Sequence, residues 1–290
     1  MITLTGSIDA RTVERVLRRG RLLAAAALAS TAALTSGCGG ASAARTATAA
    51  RLTSSCSSLP ARAVCRVLFI GNSYTYVNDL PGMFAKLAAS AHRSVATGML
   101  ATGGATLADH VASPGTAVAV GARRWNAVVL QEQSGNPAVE GLRRAVMYPA
   151  ARTLVALVRS ARERALFYLT PAHRDGWPEQ RLPDYFSMQS AVDFGYLTIA
   201  RELGVPVVPA GAAWSAVVAG GDGAGLWQAD GSHPTVIGTY LTACVFYAAL
   251  LGRSARGLPY HASLPAGEAA RLQAIATRTV QREGARWGLG

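Results

Sequence analysis

The chain has 290 residues, of which half are hydrophobic, and a formal net charge of +12 at pH 7. A hydrophobic fraction of this size excludes a largely disordered protein and is sufficient for one substantial core. The positive charge is almost wholly arginine, with Lys86 as the only lysine, and it forms neither a basic run nor a stripe interleaved with aromatic residues. We therefore expect no nucleic-acid partner.

The first 38 residues have the pattern of an export signal. Four arginines between residues 15 and 21 precede an apolar stretch, residues 22–34, and small residues then lead to Cys38. The apolar stretch is too short to span a bilayer, which takes about 20 residues, so it predicts a signal sequence rather than a spanning helix. The segment resembles a bacterial lipoprotein signal, although Thr35 stands where leucine is usual. We expect secretion, or anchoring at the outer face of the membrane through a lipidated Cys38.

The sequence divides the rest of the chain into a tether and one domain. Residues 39–60 are rich in Ala, Ser and Thr, which predicts a flexible tether, and residues 61–290 are predicted to form the domain. In an exported protein Cys56 and Cys65 are candidates for a disulfide just before the first strand. Cys244 lies in an apolar helical stretch and is expected to be a buried thiol.

From residue 66 onward, short apolar runs alternate with amphipathic segments. This alternation predicts an α/β protein: a three-layer, flavodoxin-like domain with a five-stranded parallel sheet and helices on both faces. The predicted strands are residues 66–70, 95–101, 126–131, 165–170 and 205–209. The predicted helices are residues 80–92, 139–162, 184–203, 234–251 and 265–286.

Polar and glycine-containing segments follow three of these strands. Gly71-Asn72-Ser73 ends the first, Gly103-Gly104 lies after the second, and Gln131-Glu132-Gln133-Ser134 ends the third. The segment from Asp230 to His233 follows the fifth strand by some twenty residues. Because ligands bind at the carboxyl ends of the strands in an open α/β sheet, these segments are expected to converge there. Taken alone, a Gly-Asn-Ser turn or an Asp-x-x-His helix entrance is ordinary, so the combination is what predicts an active site.

These segments resemble the blocks of the SGNH, or GDSL-type, hydrolase superfamily over roughly residues 65–252. Gly71-Asn72-Ser73 with Tyr74-Thr75 resembles the nucleophile block of a bacterial subgroup, and Asp230-x-x-His233-Pro234 resembles the last block. The resemblance implies a catalytic triad of Ser73, His233 and Asp230, in which Asp230 orients the imidazole that accepts the serine proton.

The resemblance also implies an oxyanion hole, with one departure from the family. Its donors would be the backbone N–H groups of Ser73 and Gly104 and a side-chain amide from the third block, where the family usually has asparagine. This chain has glutamines there, so Gln133 or Gln131 is the predicted donor, with Gln133 slightly favoured and Asn136 a weaker candidate.

Further residues are candidates for substrate binding. Asn72 and Tyr74 flank the serine, and His173, Arg174 and Asp175 follow the fourth strand at the same edge, although a loop of mixed charge is equally often a solvated turn. Trp214 and Trp227 either flank the pocket or pack in the core. No cofactor or metal is expected, because the histidines at 92, 110, 173, 233 and 261 have no metal-ligand spacing.

The sequence thus predicts an exported serine esterase that cleaves short acyl esters of carbohydrates or small molecules. Two alternatives stay open at this point. The same triad serves an acyltransferase, and a hydrolase fold can also serve as a non-catalytic carbohydrate-binding surface lipoprotein. The oligomeric state is not indicated by the sequence.

Overall fold

The computed structural model describes residues 56–122 and 125–289. The predicted export signal, including Cys38, lies outside the described residues. The predicted tether overlaps them only over residues 56–60, and this short piece lies against the domain. Cys56 is buried there and is joined to Cys65 by a disulfide, with the two Cα atoms 5.5 Å apart.

A parallel five-stranded sheet forms the centre of the domain, with the strand order β2-β1-β3-β4-β5. The apolar runs that predicted strands are buried in β1, β3, β4 and β5, whereas the edge strand β2 is half-exposed along most of its length. The predicted fold class is therefore confirmed, since strands buried on both faces require helices on each side. The strands are β1 Cys65–Gly71, β2 Val95–Ala101, β3 Ala127–Leu130, β4 Ala165–Tyr168 and β5 Val207–Val208.

Nine α-helices lie in the described part of the chain and connect or follow these strands. They are α1 Ser73–Tyr76, α2 Leu80–Ser90, α3 Leu107–Ala112, α4 Pro114–Gly121, α5 Tyr148–Ser160, α6 Tyr185–Leu203, α7 Ala210–Ala219, α8 Val236–Leu251 and α9 Ala266–Arg282. A single turn, Glu140–Leu142, and a π-helical segment, Arg143–Met147, precede α5, and 3-10 turns occur at Val77–Asp79, Pro178–Gln180 and Gly223–Gly225.

The helices form two layers, one on each face of the sheet. Helices α2, α7 and α9 each contact α8 on one face, and α3, α4, α5 and α6 form the other group. Helix α8 is apolar all round and is buried from Gly238 to its last residue, which is typical of a helix at the centre of a core. Its Phe246 packs against Phe69 of β1 and Tyr168 of β4, so α8 lies directly on the sheet.

The structure differs from the sequence prediction mainly in its short helices. Helices α3, α4 and α7 are six to ten residues long, too short to show a clear helical periodicity. The helix predicted over residues 139–162 is instead divided by the π-helical segment before α5. Strand β5 has only two residues because Pro206 and Pro209, which have no backbone N–H to donate, flank it.

None of the described helices combines the length and the apolar character that a membrane-spanning helix requires.

Candidate active site

Ser73 lies at the carboxyl end of β1, as the first residue of α1. It is buried, with 8% of its surface exposed. Gly71 before it has no room for a side chain, since a Cβ would lie 2.3 Å from Gln131 Oε1 and 2.6 Å from Thr75 Oγ1. The glycine thus allows β1 and the end of β3 to approach closely, which places the serine in the crevice beyond the two central strands.

Asn72 links three segments around the serine. Its Oδ1 accepts hydrogen bonds from Tyr74 N (3.1 Å) and Gln131 Nε2 (2.9 Å), its Nδ2 donates to Ala105 O (2.9 Å), and its backbone N–H donates to Gln131 Oε1 (2.9 Å). The residue is only 2% exposed. The Asn72 side chain thus makes its hydrogen bonds within the protein and holds the serine turn against the neighbouring loops, and its role in substrate binding stays a prediction.

His233 and Asp230 complete a hydrogen-bonded chain that begins at Ser73. His233 Nε2 lies 2.9 Å from Ser73 Oγ, and His233 Nδ1 lies 2.6 Å from Asp230 Oδ2. An ionised carboxylate can only accept, so Nδ1 must donate to Asp230, and Nε2 of the neutral ring is then the acceptor for the serine hydroxyl. The arrangement therefore has the polarity that removal of a proton from Ser73 requires.

The local backbone holds Asp230 in its ionised form. Although burial opposes ionisation, hydrogen bonds from Ser232 N (2.9 Å), from the His233 side chain and from His233 N (2.9 Å) lower the pKa of Asp230 to about 2. The turn passes through Gly231, whose φ of 67° suits a residue without a side chain. An isolated bridge between Trp227 and Pro234 closes this hairpin-like loop.

Tyr74 supports the histidine from within the protein. It is 3% exposed, its ring centroid lies 6.1 Å from that of His233, and its hydroxyl lies 3.1 Å from Ser232 Oγ. Burial raises the pKa of Tyr74 to about 12, so the hydroxyl stays neutral. Because it is buried beneath the His233 loop, Tyr74 is placed to support the triad, and most of its surface is inaccessible to a substrate.

The predicted oxyanion residues have different surroundings. Gly104 is exposed in the loop after β2, with a φ of 70°. Gln133 is half-buried, and its Nε2 makes only a long hydrogen bond of 3.3 Å to Ser134 Oγ. Gln131 is fully buried, and its Nε2 donates to Asn72 Oδ1 and to Glu132 O (2.6 Å). Both N–H groups of the Gln131 amide are thus used within the protein, which favours Gln133 as the oxyanion donor; the choice between the two glutamines stays a prediction.

The loop after β4 lies beside the triad. His173 Nε2 lies 3.0 Å from Ser134 Oγ, and burial is the main cause that lowers the pKa of His173, so this ring is neutral at pH 7. Arg174 donates its backbone N–H to Gly231 O (2.8 Å), which joins this loop to the Asp230 turn. The side chains of Arg174 and Asp175 are exposed and pair with each other at 3.0 Å. All three predicted residues thus border the site.

Of the two alternatives for Trp214 and Trp227, the structure shows packing in the core. Trp214 is fully buried and Trp227 is 5% exposed, their rings pack edge to face with centroids 5.0 Å apart, and each indole N–H is bonded inside the protein. Their packing fixes the start of the segment that carries Asp230 and His233. Neither offers a free ring face to a sugar.

Three buried groups near the site were not singled out from the sequence. His110 Nε2 lies 2.8 Å from Gly71 O, Thr75 Oγ1 donates to Gln131 Oε1, and Glu132 is fully buried two residues after the end of β3. Only the polarity of Gln131-Glu132-Gln133 at a strand end was a signal for such residues. Within the described residues, no three or more His, Cys, Asp or Glu side chains are grouped so that they could hold a metal ion.

Comparison with solved structures supports the class of protein that this fold suggests. A proposed SGNH hydrolase from Slackia heliotrinireducens is 27% identical, with a TM-score of 0.54 over 64% of this chain and 98% of that one. A DUF4886 family protein from Bacteroides uniformis (18% identity, TM-score 0.63, 75% and 95% covered) and an acetyl xylan esterase from Geobacillus stearothermophilus (18%, 0.51, 64% and 94%) share the fold. No protein-family model matches the sequence. The search of curated proteins gives no match.

The fold is that of the SGNH, or GDSL-type, hydrolases, and the chain is similar to a proposed member of that superfamily at 27% identity.

Proposed function

We propose that the protein is an exported serine esterase that removes short acyl groups from carbohydrates or other small molecules. The observation that carries this proposal is the hydrogen-bonded chain from Ser73 Oγ through His233 to Asp230, with distances of 2.9 and 2.6 Å. A serine hydroxyl becomes an effective nucleophile only when a base takes its proton, and this chain supplies the base together with the carboxylate that orients it.

The reaction proceeds through an acyl-enzyme. Ser73 Oγ attacks the ester carbonyl while its proton passes to His233 Nε2, and the resulting oxyanion is stabilised by the N–H groups of Ser73 and Gly104 and by the amide of Gln133. The tetrahedral intermediate then expels the alcohol, which takes the proton from His233. In the second half of the reaction His233 takes a proton from water, the water oxygen attacks the acyl carbonyl, and the acid leaves as Ser73 regains its proton.

The polar surroundings of the serine support a small, polar substrate. The half-buried hydroxyl of Ser232 and the half-buried neutral ring of His173 lie beside the triad. Such groups hydrogen-bond to a sugar ring or a short acyl carbonyl, whereas a long alkyl chain is bound by an apolar surface. Hydrolysis of acetyl esters is therefore the first activity to test.

The export part of the proposal depends on the first 38 residues and on the cysteines. The arginine-rich start followed by an apolar stretch has the pattern of an export signal, and a disulfide between Cys56 and Cys65 suits an oxidising compartment. Metabolic labelling with a fatty-acid analogue distinguishes an anchored from a secreted product. Loss of the label in Cys38→Ala supports lipidation, and an unlabelled exported wild type excludes it.

The esterase is tested with purified protein and p-nitrophenyl esters of increasing acyl length. We expect acetyl esters to be cleaved fastest and Ser73→Ala to lower kcat by at least about 10⁴-fold. Ser90→Ala is the matched control, because Ser90 ends α2 and its hydroxyl donates to Leu87 O within the same helix at 2.8 Å.

A serine-reactive phosphonate gives an independent readout, since it labels an activated serine whatever the natural substrate is. We expect one label per chain on Ser73. Esterase activity that survives Ser73→Ala contradicts the proposal, and so does tight sugar binding without labelling, which identifies a binding protein. An added sugar alcohol that becomes acylated in place of water identifies an acyltransferase.

A further inference from the structure

Glu132 has a buried carboxyl group near the carboxyl ends of the strands. The proposed triad mechanism does not use this group. Glu132 lies two residues after the end of β3 and is fully buried. Its Oε1 accepts three hydrogen bonds, from Leu107 N (3.2 Å), Gln133 N (2.7 Å) and Asn136 Nδ2 (3.2 Å). One oxygen atom therefore joins two loops that are distant in the sequence.

The two joined loops are those that carry the proposed oxyanion donors. Leu107 is the first residue of α3 and lies three residues after Gly104, in the segment that follows β2. Gln133 and Asn136, the two remaining candidates for the side-chain donor, both bond to the same carboxylate oxygen. Whichever of them faces the oxyanion, its position relative to Gly104 depends on Glu132.

Glu132 is itself held by the elements behind the site. Its backbone N–H donates to the hydroxyl of Tyr196 in α6 (3.0 Å), and its carbonyl accepts from Gln131 Nε2 (2.6 Å). Gln131 in turn bonds to Asn72 next to the nucleophile. The carboxylate is thus part of a continuous network that connects the serine turn, the Gly104 loop and the loop after β3.

Burial of this carboxyl is unfavourable, which makes packing alone a poor explanation for it. Its Oε2 has no hydrogen-bond partner among the described residues, and burial, together with nearby Asp109, raises the pKa of Glu132 to about 7 despite the three hydrogen bonds. An apolar side chain of similar size would fill the same space without this desolvation penalty, but it would leave the three N–H donors without an acceptor.

We propose that Glu132 is a positioning residue of the active site, whose Oε1 sets the spacing between the Gly104 loop and the loop of Gln133 and Asn136. The inference rests on the proposed esterase function, because the spacing matters only if these loops bind an oxyanion. An oxyanion hole works through donors that are in place before the charge develops, and loss of one donor costs about 10²–10³ in turnover. Displacement of donors should therefore lower kcat more than it raises KM.

The chain provides a matched control in Glu163, a second buried carboxyl, which lies at the opposite ends of the strands. Glu163 is 8% exposed, its Oε1 accepts from Trp125 N at 2.8 Å, its Oε2 has no partner among the described residues, and burial raises its pKa. It precedes β4, at the amino ends of the strands and away from the triad. The two residues therefore share their chemistry and differ in location.

The experiment compares Glu132→Leu, Glu132→Gln and Glu163→Leu in the full-length purified enzyme with an acetyl ester. We expect Glu132→Leu to lower kcat by about 10- to 100-fold with KM within about threefold of wild type. Glu132→Gln keeps an oxygen acceptor at the same position and should restore kcat to within about fivefold of wild type. Glu163→Leu should change the thermal midpoint while leaving kcat per active site, titrated with phosphonate, within about twofold.

Several outcomes overturn the inference. A folded Glu132→Leu enzyme with kcat within twofold of wild type does so, as does a Glu132→Gln enzyme that loses as much as Glu132→Leu, because charge rather than acceptor geometry would then matter. If Glu132→Leu does not fold, Glu132→Asp, whose acceptor is one methylene short, takes its place with the same expected loss. An inactive wild type, or an active Ser73→Ala enzyme, contradicts the esterase proposal instead.

Discussion

Polar side chains hold the chain at both ends of the strands, but they do so differently. At the amino ends, the buried Glu163 accepts one hydrogen bond from a backbone N–H, and the half-buried Asn126 accepts one from Arg66 N, so each side chain holds a single neighbouring segment. At the carboxyl edge, Asn72 and Glu132 each bond to at least two separate segments. Because the ends of several strands must be held at one spacing there, polar groups that bridge loops are concentrated around the serine. Substitution at the carboxyl edge should therefore affect activity, and substitution at the amino edge only stability.

The largest contrast is expected at Asp230. Asp230→Asn replaces the acceptor of His233 Nδ1–H by an amide and favours the wrong tautomer of the imidazole, so we expect kcat to fall by about 10³–10⁴-fold. Steady-state kinetics on an acetyl ester measures this loss. Asp222→Asn is the control, since Asp222 is exposed and pairs with Arg271 at 2.9 Å, and it should leave kcat unchanged. A loss of less than tenfold in Asp230→Asn would mean that the carboxylate does not orient the histidine.

A smaller contrast compares the same substitution at the two edges. Asn72→Asp replaces the Nδ2 donor by an oxygen, so that two acceptors, this oxygen and Ala105 O, face each other. We expect the substitution to cost about 1–3 kcal/mol of stability and to lower kcat by about tenfold. Asn126→Asp keeps the oxygen that accepts from Arg66 N (2.8 Å) and should change stability by less than about 0.5 kcal/mol. Urea unfolding and kinetics on both variants check this. Equal effects at the two positions would remove the distinction between the edges.

The last expected effect concerns the pH dependence of stability. The pKa of Glu132 is raised from 4.5 to about 7, mainly by burial, so the folded protein binds this proton more tightly than the unfolded chain does. The folded state therefore loses stability as pH rises from about 4.5 to 7, by about 2–3 kcal/mol. Glu132→Gln should lose this slope, whereas Glu179→Gln, at an exposed site, should keep it. Urea unfolding at pH 5 and 7.5 measures the difference. A Glu132→Gln variant with the wild-type slope would contradict it.

Much of the fold was predictable because it depends on local patterns. The apolar runs of β1 and β2 match the predicted strands within one or two residues, and so do helices α6 and α8. Short helices such as α3 and α7 were not predicted, since helices of this length depend on caps and on packing rather than on periodicity. Proline determined the length of β5, where the prediction was five residues and the structure has two.

In the candidate site too, some residues were predictable from local sequence and others were not. Ser73, His233 and Asp230 were predicted from their residue types and from the strand ends, and the structure brings them within hydrogen-bonding distance of one another. The functions of the amides were not predictable: Gln131 and Gln133 have the same chemistry, and only their surroundings show that the first is buried and committed to Asn72. Burial of Glu132 likewise depends on helices that are distant in the sequence.

The sequence by itself determined the sheet, its class and the three residues of the serine–histidine–aspartate chain, because apolar periodicity and the residues at strand ends are local properties. Only the tertiary structure decided which side chains hold the site together. Hydrogen bonds between Asn72, Gln131 and Glu132 and their partners join segments about 25 to 60 residues apart, and a buried polar group shows its partner only when those segments are packed.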